Sequence, residues 1–365
     1  MKQIVFILLV SSPFLSFSQE EKSYSYIQAD YFYGNILKHN KNVGHFLTNH
    51  PTGFMLSWNK KTTGKKEWEH RYNYPDFGIS LAYQDYKNPI LGELYSAYAH
   101  YNFYLLPRAN KNQLVLRAGW GIAYNTNPYH KVNNPKNVAF GTAINSSTYF
   151  KFFYKRENII NRIGIHAGLT FIHASNSSFK SPNTGVNVWA TTVGLNYNLE
   201  DDTDLKFSPT KKEKKYSTKI KYNFAFRFGA NESDFIDSGV KPFFVLSAYI
   251  DKRLSRKSAI QFGADYYVSY MLKDYIEISH ILDENYQTGD FKRAGLFLGH
   301  ELFMNKLSVE FQAGYYVYYP VEFHGRLYER LGLKRYFKDK WFASVSLKAH
   351  AAKAETVAFG IGIRL

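Results

Sequence analysis

The 365-residue sequence has no cysteine, which excludes a disulfide framework and a lipid-carrying N-terminal cysteine. The chain must therefore hold together by hydrogen bonding and packing alone. Beyond its first residues it also lacks any stretch near the roughly 20 apolar residues that a transmembrane helix requires. Metal-ligand spacings such as His-Glu-x-x-His are missing as well, so the chemistry is expected to need no metal or cofactor.

The N-terminus carries Lys2, an apolar run over 4–10, and Ser16-Phe17-Ser18 before Gln19. This order predicts a secretory signal over 1–18, too short in its apolar core to anchor in a bilayer. Aromatics are plentiful: 31 Tyr, 30 Phe and 5 Trp, or 66 of 365 residues. Spread over short alternating segments, they favour an antiparallel transmembrane β-barrel with aromatic girdles over the alternative, a secreted β-sandwich. The formal charge of +16 becomes +15 once Lys2 leaves with the signal. Export argues against nucleic acid as the partner and for a phosphorylated glycolipid, although a solvated basic surface would carry the same charge.

Sixteen segments read as strands, give or take about two because the region before Tyr86 is poorly punctuated. The expectation is an all-β barrel of about 14–16 strands, formed as a single unit over 19–365. Short connections at 155–158, 253–256, 304–306 and 338–340 alternate with longer ones at 125–140, 175–185, 231–240 and 272–292. Periplasmic turns are the short set in such barrels. Residues 201–215, with Lys211, Lys212, Lys214 and Lys215 around Glu213, break the rule. They are expected to be a flexible insertion and not a domain boundary, because a barrel must close to satisfy its edge strands. Gly119 and Gly121 precede no helix pattern and so suggest close packing in a barrel wall, not a phosphate-cradling loop.

The chemistry-bearing stretch is 170–188, TFIHASNSSFKSPNTGVNV. His173 and Ser175 lie two apart in a strand-like run, so they project from one face. An imidazole beside a hydroxyl is the minimum that a serine nucleophile needs. Asn176 follows, with an amide able to donate to an oxyanion. The alternative is a polar pair facing water. His166 lies an odd seven residues before His173, hence on the opposite face.

The longer pattern, His173-x-Ser175-Asn176 followed by Lys180-x-Pro182-Asn183-x-Gly185, resembles the active-site segment of the lipid A 3-O-deacylase family. These are outer-membrane β-barrel esterases, also called acyloxyacyl hydrolases. The resemblance covers roughly 78–199, with further barrel strands over 216–365. It implies that His173 is the base, Ser175 the nucleophile and Asn176 part of the oxyanion hole. It also implies lipid A, or lipopolysaccharide, as substrate in the outer membrane. The family's acid is expected where this sequence has Asn187, and no Asp or Glu occurs between Asn176 and Leu199. An Asn can hold a His tautomer through its side-chain carbonyl but cannot stabilise an imidazolium as a carboxylate does. Either Asn187 orients His173, or a carboxylate from another strand does, or the site is impaired.

Polarity alternation alone would turn Ile172 and Ala174 to the lipid and the His173–Ser175 pair to the lumen. The resemblance implies the reverse. Three functions follow: a lipid A esterase, a non-catalytic barrel of the same ancestry, and a passive porin.

Overall fold

The computed structural model describes residues 23–202, 205–209, 216–338, 340–351 and 353–365. The expected signal segment lies outside them. The first eight strands are β1 (Ser25–Ile36), β2 (Thr52–Lys60), β3 (Asp76–Asp85), β4 (Glu93–Tyr104), β5 (Asn112–Asn125), β6 (Ile144–Ile160), β7 (Ile163–Ser175) and β8 (Val186–Asn198). A second eight follow: β9 (Lys221–Asn231), β10 (Lys241–Arg253), β11 (Ser258–Ser269), β12 (Lys292–Met304), β13 (Leu307–Tyr318), β14 (Leu327–Phe337), β15 (Trp341–His350) and β16 (Lys353–Arg364).

All neighbours pair antiparallel, but the strands form two rings of eight instead of one larger ring. β8 returns to β1, with Tyr26 opposite Asn198 and Ile36 opposite Val188. β16 returns to β9, with Phe359 opposite Phe228. This corrects the single barrel expected from sequence. The requirement that edges be paired is met twice, on either side of residues 199–220, so that segment does separate two closed units. Its described part is tied to the first barrel: Ser208 N–H donates to Thr63 O at 2.8 Å, and Lys61 pairs with Asp202 at 2.6 Å.

Each wall follows from the two-residue period of a strand. Outward positions of the first barrel are apolar, among them Leu56, Ile79, Leu81, Leu169 and Val193. Tyr33, Tyr95 and Tyr124 flank this belt at one end, and Trp58, Tyr154 and Tyr197 at the other. Inward positions are polar and buried. Arg117 donates to Ser57 Oγ and Asn59 Oδ1, both at 3.0 Å, and Lys151 pairs with Asp30 at 2.6 Å. Gly119 faces inward because a Cβ there would lie 2.2 Å from the Tyr149 ring.

The second lumen is more highly charged. Arg330 pairs with Asp265 at 2.8 Å, Lys334 with Glu310 at 2.6 Å, and Lys348 with Glu355 at 2.6 Å. Eight strands leave an interior just wide enough for side chains to fill, and here they do. In a planar bilayer the purified protein should therefore show no stable open-channel current. Reproducible conductance steps would contradict the filled lumens and favour the porin.

Helix α1 (Glu67–Arg71) lies in the β2–β3 connection, and α2 (Tyr270–Leu282) follows β11 directly. The 272–292 connection, expected from sequence as a loop, begins with this helix instead. Ser269 caps it by accepting from Leu272 N–H, and Met271, Leu272 and Ile276 pack against Val321 and Phe323 over the barrel mouth. Connections at the α2 end are mostly long, and those at the opposite end mostly short. The 61–75 segment joins 199–220 as an exception. By loop length the α2 end is extracellular.

Candidate active site

β7 runs toward the extracellular rim and ends on the candidate serine. Its inward side chains are His166, Thr170, Ile172 and Ala174, all buried; Ile163, Ile165 and Leu169 point outward and are exposed. His173 and Ser175 share the outward parity. The polarity argument that would have placed them in the lumen fails for a local reason. Near the rim the inward positions of β7 and β8 are apolar, because Ile172, Ala174, Val186 and Val188 form a core with Phe32, Tyr98, Val43, Phe46 and Phe140. Loops over the mouth supply Val43, Phe46 and Phe140, so these inward side chains pack against a cap and not against open lumen. His166 lies on the inward face, as its odd spacing required, hydrogen-bonded to Asp30.

Antiparallel register sets the pair beside its third partner. His173 lies opposite Asn187, and Ala174 opposite Val186. His173 Nδ1 is 2.6 Å from Asn187 Oδ1, and its Nε2 is 3.2 Å from Ser175 Oγ. A carbonyl oxygen can only accept, so the Nδ1 proton points at Asn187 and Nε2 is free to accept from the serine hydroxyl. Among the described residues no carboxylate bonds to His173. Of the three arrangements left open by the sequence, the geometry has Asn187 holding the ring. Ser175 is 5% exposed, shielded by the loop that follows it.

Asn176 is less simply placed. Its side-chain amide donates to Lys180 O at 2.7 Å, and its backbone N–H donates to Asn183 Oδ1 at 2.9 Å. One hydrogen of that amide is therefore committed within the loop, while Ser177 N–H lies 3.3 Å from Ser175 Oγ. In the sequence Asn183 is only part of the pattern; its structural task is to tie Asn176 down.

Gly185 has a positive φ of 66°, and a Cβ there would sit 2.9 Å from Ser175 Cβ and 3.2 Å from His173 Cε1. Only glycine leaves the pair room. The loop 126–143 braces this segment from behind, since Thr184 N–H and Gly185 N–H donate to Val138 O and Ala139 O. That loop is itself held by asparagines: Asn137 Nδ2 donates to Asn127 O at 2.7 Å, and Asn134 Nδ2 to Ile90 O at 2.9 Å. The density of Asn and Pro over 125–140 was the sequence signal for it.

Around the pair, the outer wall is apolar toward the bilayer and basic toward the rim. Phe171 and Trp189 lie one step below, with ring centroids 5.4 Å apart; Phe150 stands opposite Phe171 on β6, and Leu169 continues the face downward. Lys38, Lys41, Lys131 and Lys136 are exposed on the loops above.

Comparison with known proteins agrees with this architecture barrel by barrel. The family model described as lipid A 3-O-deacylase matches residues 52–196, and that described as acyloxyacyl hydrolase, C-terminal domain, matches 220–365. No curated protein matches the chain. Solved structures similar to it include the Acinetobacter baumannii outer membrane protein Omp33, at 9% identity over 94% of this chain and 98% of that one, with a TM-score of 0.18. A mutant Rhodopseudomonas blastica porin is 9% identical over 94% and 99% of the two chains, with a TM-score of 0.17. At such scores neither likeness bears on the site. The two family models fall one on each barrel, and the chain belongs to the lipid A 3-O-deacylase (acyloxyacyl hydrolase) family of outer-membrane β-barrels.

Proposed function

We propose that the protein is an esterase that removes an ester-linked acyl chain from lipid A by a Ser175–His173 mechanism. The observation that carries this reading is the outward orientation of the pair at the extracellular rim. A lipid lying in the outer leaflet can bring its acyl chain against Leu169, Phe171 and Trp189 while its phosphorylated head group meets the rim lysines. No extraction from the membrane is needed.

In this reading Ser175 Oγ attacks the ester carbonyl and its proton passes to His173 Nε2. Asn187 Oδ1 keeps the Nδ1 proton in place, so the ring presents its basic nitrogen to the serine. Ser177 N–H, which lies 3.3 Å from Ser175 Oγ, and the second hydrogen of the Asn176 amide are the candidate donors to the oxyanion. Collapse of the tetrahedral intermediate expels the sugar alkoxide, which takes the proton from His173. Water then attacks the acyl-serine, His173 accepts its proton, and the fatty acid leaves as Ser175 is restored. The substrate class follows from the surroundings: a phosphorylated glycolipid ester in the leaflet, in keeping with the family.

The test is purified protein reconstituted with lipid A carrying both ester-linked and amide-linked hydroxyacyl chains. Release of an ester-linked acid with the amide-linked chains intact is the expected result. No release from folded protein would favour the second reading, a barrel that has lost catalysis, for which Asn187 in place of an acid is the specific motive.

Asn187 also yields a graded prediction. Asn187→Ala frees the imidazole to rotate or change tautomer and should lower kcat about ten- to a hundredfold, the scale of a misplaced catalytic group. Asn187→Asp supplies a carboxylate at the same position and should equal or exceed the natural protein. Fatty acid release at matched protein levels checks both. An Asn187→Ala variant as active as the natural protein would show that the His173–Asn187 bond does not matter.

A further inference from the structure

The loop that follows Ser175 is held from two sides. The first barrel braces residues 184 and 185 through Val138 O and Ala139 O. The other side belongs to the second barrel. Glu232, immediately after β9, is 4% exposed and accepts from Ser181 N–H at 2.7 Å with one carboxylate oxygen. Its other oxygen accepts from Gly239 N–H at 2.8 Å, which fixes the carboxylate against its own loop. Glu232 N–H donates to Ser178 O at 3.1 Å. Ser181 Oγ donates to Ser233 O at 2.5 Å, and Ser178 Oγ to Ala354 O at 2.6 Å.

These contacts fall where the loop needs support. Ser177 and Ser178 both have positive φ, 55° and 63°, which L-residues with a Cβ hold only when their surroundings impose it. They are the second and third residues after the candidate nucleophile, and Ser177 N–H contacts its Oγ. A buried carboxylate accepting backbone N–H bonds is among the stronger neutral-to-charged anchors available.

We infer that the second barrel is a positioning element for the site on the first, with Glu232 as the positioning residue that holds the 176–185 loop in its strained form. The inference rests on the proposed function for its catalytic consequence, and on the hydrogen bonds alone for its structural one. It gives the C-terminal barrel a task that neither its filled lumen nor its own outer wall explains.

The test uses the full chain in detergent micelles, comparing the natural protein with Glu232→Ala and with Glu232→Gln, which keeps the side chain's volume and one acceptor. Amide hydrogen exchange over 176–185 and fatty acid release from an ester-linked lipid A are measured together. Glu232→Ala should speed exchange of the Ser181 amide and lower kcat about ten- to a hundredfold with little change in KM, and Glu232→Gln should fall between. Exchange that is unaltered in both variants overturns the clamp. Faster exchange with kcat unchanged overturns the positioning role. Absence of hydrolysis by the natural protein counts against the proposed function instead, and the exchange measurement still decides the clamp.

Discussion

Ser175→Ala should lower lipid A hydrolysis by about a thousandfold or more, and His173→Ala should do nearly the same. The hydroxyl supplies the bond-forming oxygen and the imidazole removes its proton, so neither has a substitute on that face of β7. Because the two act as a unit, the double variant should be scarcely worse than either single one. Structural damage is not expected to confuse the result. Among the described residues Ser175 Oγ hydrogen-bonds only with His173 Nε2 and Ser177 N–H, and the two strands that hold the site pair in continuous register. The check is fatty acid release at matched levels of folded protein. Additive losses, or a Ser175→Ala variant retaining a tenth of the activity, would mean that the nucleophile lies elsewhere.

Glu355→Ala should have the largest effect on stability. Glu355 is buried in the second lumen, paired with Arg293, with Lys348 at 2.6 Å and with His350 at 2.6 Å. Removing it leaves two cations in a water-poor interior without their counter-charge, and breaking a buried pair in this way costs about 3–5 kcal/mol. Urea unfolding in lipid vesicles should show a lower midpoint for the second barrel, whose ring closes without strands from the first. An unchanged midpoint would show that water reaches the second lumen freely and screens these charges.

Strand positions were legible because the two-residue alternation is written in nearly every segment. Each of the sixteen expected strands has a counterpart, including the poorly punctuated 52–60. Closure was not legible. Alternation reports which face a residue takes but not which distant strand is its neighbour, so β8 returning to β1 looked the same as β8 continuing to β9. A hint was present in 199–220, a long connection where a short periplasmic turn was due. The helix after Ser269 was missed because its apolar residues, Met271, Leu272 and Ile276, cover a barrel mouth that the sequence did not yet contain.

The site divides the same way. The proximity of His173, Ser175 and Asn187 could be read from spacing and resemblance, since strand geometry joins residues two apart and a hairpin joins 173 to 187. Their outward orientation could not be read from polarity, because Ile172 and Ala174 are apolar for the sake of a capped lumen and not for lipid. Glu232 left no signal at all. It lies 51 residues from Ser181 in the chain and meets it only once two barrels have closed.

The most direct test of the account is mass spectrometry of lipid A from cells expressing the protein, beside cells expressing folded Ser175→Ala, in a host whose lipid A carries ester-linked hydroxyacyl chains. The account predicts loss of one hydroxyacyl mass with the natural protein and none with the variant. Identical lipid A in both, with the natural protein correctly inserted, would contradict it.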